Sequence, residues 1–120
     1  MKINPKLNKY STSETMIGTW TNGKPLYRKI ITGTLNQTAT GTNTNTDIST
    51  GISNAGIVLI KNAYFINNDR YIPIPYFTNS GNSVRMIPVA DGGAITITNN
   101  YSSYGGSTVI IILEYTKTTD

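Results

Sequence analysis

Alternating apolar and polar positions predict β-strands along most of the chain. In residues 25–34, Leu26 and Ile30 fall on one face of an extended strand and Tyr27 and Ile31 on the other, because successive side chains of a strand point to opposite sides. No stretch repeats its apolar residues with the period of a helix. The pattern therefore favours an all-β domain, either a small antiparallel β-sandwich or a barrel-like module. We expect strands at residues 15–21, 25–34, 57–60, 64–67, 70–77, 84–89, 94–98 and 108–116.

Turn residues mark where these strands connect. Asn22-Gly23 predicts a hairpin turn in which both residues have positive φ. Asn68-Asp69 and Asp91-Gly92-Gly93 predict two further turns. Ile72-Pro73-Ile74-Pro75-Tyr76 carries two prolines at alternate positions, and neither can donate a backbone hydrogen bond. We expect an edge strand or a polyproline-like segment there.

Residues 36–45 form a tract of Thr, Asn and Gly in which threonines alternate. One interpretation is a hydrophilic strand without a buried face, whose register would be weakly specified. The other is a loop. Both interpretations predict a long exposed connection or a sheet edge.

The last strand differs from the others because its apolar run does not alternate. A continuous run of this kind is typical of a strand buried on both faces. One face of a small two-sheet domain normally meets water, so we expect the second face to meet a partner subunit. The alternative is a central strand beneath a covering loop. The residues predicted for a subunit interface are Val109, Ile110, Ile111, Ile112 and Leu113.

Composition limits the class of protein. The 120 residues fit one domain, with residues 1–13 as an N-terminal lead or shaft connection and residues 14–120 as a single β domain. Net charge is +4, and Lys2, Lys6 and Lys9 lie in the first ten residues. One interpretation is a basic arm for nucleic acid or an acidic partner; the other, a solvated lead, is favoured because no arginine-rich or aromatic patch accompanies these lysines. No segment has the length and apolarity of a membrane span or of a secretory signal, so membrane insertion is not expected.

Chemistry-bearing residues are sparse. The chain has no histidine and no cysteine, which removes the common nucleophile–base pairs and thiolate or imidazole metal sites. Asp69 and Asp91 occupy predicted turns, and Glu114 in the last strand is expected to face a basic residue. No phosphate-binding or calcium-binding loop is present. We predict no enzymatic activity, no cofactor and no metal.

Binding is the more credible activity, because aromatic faces, amides and hydroxyls are the groups that hold carbohydrate. Tyr64, Tyr71, Tyr101 and Tyr104 are the candidate receptor contacts. Tyr101 and Tyr104 are expected in a loop, where exposed aromatic residues often make contacts. Trp20 stands beside the Asn-Gly turn and is expected to be half-buried.

Several segments in order along the chain resemble one family. These are residues 10–29, which include Gly-Thr-Trp-Thr-Asn-Gly-Lys-Pro-Leu-Tyr-Arg-Lys, and residues 47–54, 72–76, 101–104 and 113–118. They are similar to the C-terminal domain of bacteriophage tail-fibre and minor structural proteins. The resemblance implies a β-rich, non-enzymatic structural module of a virus particle. It also implies a trimer that lies near the surface facing the host.

The resulting hypothesis is a phage virion module, a fibre-tip or fibre-like protein of tail, head or collar. It would be assembled in the bacterial host cytoplasm and carried on the virion. Its expected partners are two further copies of the chain, other virion proteins and a host-surface glycan. The first alternative is a free-standing carbohydrate-binding module. The second, less favoured, is a nucleic-acid binder, which would show affinity that falls steeply with salt.

Overall fold

The computed structural model describes residues 10–87 and 93–120. The elements are β1 Thr15–Thr19, β2 Pro25–Thr34, β3 Thr44–Ser49, β4 Ala55–Asn67, β5 Arg70–Pro73, β6 Tyr76–Phe77, β7 Ser83–Ile87, β8 Ala94–Asn99, a 3₁₀ turn at Ser102–Tyr104, and β9 Thr108–Lys117. The strands form two antiparallel sheets, one with strand order β1-β2-β9-β4-β5 and one with order β3-β8-β7-β6. The predicted all-β fold is therefore confirmed.

The hydrophobic core lies between the two sheets. Phe65, Val109 and Ile111 enter it from the five-stranded sheet, and Val84 and Ile97 enter it from the four-stranded sheet; all five have exposed fractions of 0%. Burial of each such side chain contributes about 1.5–3 kcal/mol to folding. The core thus joins strands that are far apart in sequence.

Strand β9 is central in its sheet, between β2 and β4. Val109, Ile111 and Leu113 point inward and are fully buried. Ile110 and Ile112 point to the opposite side and are half-buried. Of the five residues predicted for a subunit interface, three therefore lie in the core of a single subunit, and two face outward.

The first hairpin turns differently from the prediction. β1 ends at Thr19, Gly23 N–H donates to the Trp20 carbonyl (2.9 Å), and Trp20 N–H donates to the Lys24 carbonyl (2.8 Å). Only Gly23 has positive φ (81°), so positive φ at Asn22 was wrong. A three-residue loop with glycine in the left-handed position is a standard hairpin form. Asn22 instead accepts a bond from Lys24 N–H at its Oδ1 (3.0 Å).

The segment with two prolines divides between the sheets. β5 is an edge strand of the five-stranded sheet, and β6 is an edge strand of the four-stranded sheet. The prediction of an edge is confirmed, but one continuous strand over residues 70–77 was wrong, because the chain crosses between sheets at Ile74–Pro75, a cis peptide bond. The predicted turn at Asn68-Asp69 is present, with positive φ at both residues.

The Thr/Asn tract is a connection followed by a sheet edge. Its strand, β3, begins at Thr44 and lies at the edge of the four-stranded sheet. Hydroxyl groups satisfy part of the backbone here: the Thr38 hydroxyl donates to the Thr42 carbonyl at 2.8 Å, and the Thr46 hydroxyl accepts from Asn36 N–H at 2.8 Å.

The remaining predicted strands lie in β4 and in the hairpin of β7 and β8. The segments predicted at 57–60 and 64–67 belong to one long strand, β4, which has two register irregularities. β7 and β8 pair as predicted, while the turn residues Asp91 and Gly92 lie outside the described residues, as do Lys2, Lys6 and Lys9.

Candidate interaction surfaces

The side of the five-stranded sheet that faces away from the core carries a continuous set of apolar side chains. Ile30 lies opposite Ile112, Tyr64 lies opposite Ile110, and Ile66 lies opposite Tyr71. Residues directly opposite on neighbouring strands share one face, so the set extends from β2 to the edge strand β5. We call it the outer apolar face: Ile30, Tyr64, Ile66, Tyr71, Ile110 and Ile112.

An ion pair occupies the same side of the sheet. The Arg28 guanidinium donates to Glu114 Oε2 from both Nε (3.1 Å) and Nη2 (2.8 Å). The Tyr10 ring lies 4.7 Å from the guanidinium carbon, a cation–π geometry. Glu114 is only 7% exposed, and its basic partner confirms the expectation from the sequence. The pair leaves this side of the sheet without an unpaired buried charge.

The structure separates the four candidate receptor contacts into two pairs. Tyr64 and Tyr71 lie near each other on the outer apolar face, diagonal across β4 and β5, and Tyr71 is 67% exposed. Tyr101 and Tyr104 lie on the core side. Their rings contact each other, with centroids 4.8 Å apart.

Tyr104 is a core residue, and its prediction as an exposed loop aromatic was wrong. Its ring packs 5.0 Å from Phe65 and 6.1 Å from Tyr76, between centroids, and its exposed fraction is 9%. Burial is the main cause that raises the pKa of the Tyr104 hydroxyl, and a hydrogen bond with Tyr76 raises it further. The 3₁₀ turn at Ser102–Tyr104 folds the ring inward, so of the two tyrosines in this loop only the half-buried Tyr101 remains partly accessible. Trp20 is half-buried, as predicted.

The opposite side of the molecule presents polar side chains from three strands. The Thr98 hydroxyl donates to Asn45 Oδ1 (2.7 Å), and the Thr96 hydroxyl donates to Asp47 Oδ1 (2.6 Å). Arg85 Nη2 donates to Asn43 Oδ1 (3.3 Å). We call this surface the polar sheet face: Asn43, Asn45, Asp47, Arg85, Thr96 and Thr98.

The polar sheet face was not predicted from the sequence. A signal was available, because Asn45 and Asp47 alternate along one segment and Thr96 and Thr98 alternate along another, which places each pair on one side of a strand. The pairing of β3 with β8 was not evident from sequence. That pairing brings the four side chains into two adjacent cross-strand rows.

A third polar group ties the start of the domain to its last strand. Glu14 Oε1 accepts from the Tyr115 hydroxyl and Oε2 accepts from Lys117 Nζ, both at 2.6 Å. Tyr27 stacks on Tyr115 at 5.7 Å between centroids and donates its hydroxyl to Asp120 Oδ2 at 2.8 Å. Burial is the main cause that raises the pKa of Tyr115 far above its usual range, and the hydrogen bond with Glu14 is the second cause. These hydrogen bonds hold the segment before β1 against the end of β9.

The described residues contain neither a candidate metal site nor a helix that could cross a membrane. Within residues 10–87 and 93–120, no three acidic side chains converge in a way that could hold a metal ion. The helical structure in the same residues has neither the length nor the apolarity to traverse a bilayer.

Comparisons with protein-family models, with curated proteins and with solved structures found no match to this chain. The described residues offer two surfaces on opposite sides of the molecule, one apolar and one polar.

Proposed function

We propose that this chain is a non-enzymatic structural module of a bacteriophage virion, a fibre-tip or fibre-like protein that assembles as a homotrimer and contributes to attachment at the host surface. Its place would be on the particle, beside other virion proteins. The proposal combines the resemblance in sequence with a surface suited to subunit contact.

The outer apolar face is the observation that carries the proposal. It presents the half-buried Ile30, Ile110 and Ile112 across adjacent strands, with the exposed Tyr71 at one end. Contiguous apolar surface that stays accessible on a small domain marks an interaction site. The neutral Arg28–Glu114 pair on the same side carries no unpaired charge that a partner would have to desolvate.

A second copy of the chain is the occupant that we assign to this face. Three copies related by a closed rotation would each bury the patch against a neighbour, which is how symmetric oligomers remove such surfaces from water. Aromatic residues are enriched at interfaces of this kind, and Tyr64 and Tyr71 would lie within the contact. In this assembly the polar sheet faces of the three copies would stay exposed.

The test of the virion role is direct detection in particles. Phage purified from a producing culture by density gradient should contain peptides of this chain in mass spectra, and a specific antibody should label the particle in electron micrographs. A fluorescently labelled chain should also bind to cells of the host strain. Particles that infect normally and lack the chain would contradict the proposal.

A further inference from the structure

The polar sheet face has an ordered pattern of hydrogen-bonding groups. Asn45 and Asp47 lie two residues apart on the edge strand β3, so their side chains stand about 7 Å apart on the same side of the sheet. Each is held from the neighbouring strand by a threonine hydroxyl, at 2.7 Å and 2.6 Å respectively. Thr98 is only 4% exposed, so the base of this surface is buried.

Each threonine hydroxyl bonds to one of the two terminal side-chain atoms of Asn45 or Asp47, and the second terminal atom remains available. Thr98 occupies Asn45 Oδ1, which leaves the Nδ2 group as a donor. Thr96 occupies Asp47 Oδ1, which leaves Oδ2 as an acceptor. Neither atom has a hydrogen-bond partner among the described residues, and both side chains are exposed. A donor and an acceptor in fixed positions are what a ligand rich in hydroxyl groups requires.

Arg85 adds further donors beside these rows. It lies opposite Thr98 on β7, and of its five N–H donors only one, on Nη2, has a partner among the described residues, Asn43 Oδ1. Its Nε is buried and has no partner there. A buried donor left unpaired costs free energy, and a ligand that engages this guanidinium would supply partners for its donors.

Apolar side chains adjoin the polar rows. Phe77 is 64% exposed and lies opposite Ser83, and Ile87 is 44% exposed and lies opposite Thr96. Binding sites for small molecules combine apolar surface with a few fixed polar groups. A pyranose ring presents both hydroxyl groups and an apolar C–H surface, which matches this arrangement.

We infer that the polar sheet face is a carbohydrate-binding site, in which Asn45 Nδ2 and Asp47 Oδ2 hold sugar hydroxyls and Arg85 supplies further donors. The inference deepens the proposed function and rests on it for the source of the ligand, a glycan of the bacterial surface. It moves the glycan contact from the predicted tyrosines to the opposite side of the molecule. There the site remains accessible when the outer apolar face is covered.

An exchange of donor and acceptor tests the site without changing its shape. The double variant Asn45→Asp/Asp47→Asn keeps net charge and keeps an oxygen for each threonine, but reverses the two free groups. The matched control is Asn68→Asp/Asp69→Asn, the same exchange in an exposed turn between β4 and β5. The probe is an array of bacterial surface oligosaccharides, followed by calorimetry with each oligosaccharide that binds.

We expect the wild-type chain and the control to bind the same oligosaccharides, and the exchange at Asn45 and Asp47 to weaken affinity at least tenfold. Arg85→Gln should weaken it as well. Absence of glycan binding by the wild type would overturn the inference, and so would equal binding by both double variants. A chain that is trimeric and binds no glycan would overturn this inference alone, whereas a monomer that binds glycan through this face would contradict only the proposed assembly.

Discussion

Glu14 illustrates how single side chains hold this domain together. Its two oxygens receive hydrogen bonds from Tyr115 and Lys117 of β9, so it fixes the segment before β1 to the centre of the sheet. Burial alone would raise the pKa of Glu14, but the bonds from Lys117 and Tyr115 outweigh burial and lower it below its ordinary value of 4.5. The carboxylate is therefore stabilised in the folded state.

This lowered pKa predicts a pH dependence of stability. A carboxyl group whose pKa is lower in the folded chain contributes stability above its unfolded pKa, and that contribution is lost as pH falls through the folded pKa. Glu14→Gln should cost about 1 kcal/mol at pH 7, since the ion pair is partly exposed. Urea unfolding at pH 7 and pH 3 should show a smaller difference between variant and wild type at pH 3. An equal difference at both values would contradict the role of the charge.

Tyr104 gives a second prediction at the same scale. Because its ring fills the core beside Phe65 and Tyr76, Tyr104→Ala should lower the free energy of unfolding by about 3–5 kcal/mol. Tyr104→Phe keeps the ring and should cost far less. Chemical denaturation of both variants provides the measurement. A negligible effect of the alanine variant would mean that the ring is not packed as described.

At the scale of elements, the sequence predicted much of the sheet structure. Strands such as β2 and β9 were evident because their apolar patterns are long and their bounds are marked by turn residues. The inward position of Tyr104 was not predictable, since it depends on a contact with Phe65 of a distant strand. The polar sheet face was missed for the same reason, because its two rows form only when β3 pairs with β8.

The turn between β1 and β2 shows how local chemistry and register interact. Asn-Gly indicated a hairpin, but the pairing of Thr19 with Pro25 leaves a longer loop than a two-residue turn. Gly23 alone then takes the left-handed conformation. The signal identified the hairpin, while the register decided which residue needed positive φ.

Substitution of Gly23 tests this description of the turn between β1 and β2. Gly23→Ala should destabilise the domain by about 1–2 kcal/mol, because an L-residue is strained at φ 81°. Among the described residues, an added Cβ would meet nothing within 4 Å, so we attribute the expected loss to backbone strain. Gly18→Ala is the matched control, since its Cβ also meets nothing within 4 Å and its φ is not positive. Equal stability of the two variants in thermal melts would contradict this account of the turn.

At the scale of the whole molecule, the two sheets expose different chemistry. The five-stranded sheet turns an apolar surface outward, and the four-stranded sheet turns outward amides, hydroxyls, a carboxylate and a guanidinium, with the exposed Phe77 and Ile87 beside them. This division suits a module that joins its own copies on one side and meets a ligand on the other. The central claim is that the outer apolar face forms the contact between copies.

The most direct test is the solution mass of the chain by light scattering after size exclusion. Wild type should have three times the subunit mass of 13.1 kDa. Tyr71→Asp should dissociate it, because the charge would enter the interface. The matched control is Phe77→Asp, a similarly exposed aromatic residue (64% against 67%) on the other sheet, and it should remain trimeric. A monomeric wild type, or a trimer that both variants leave intact, would contradict the assignment of this face to the subunit contact.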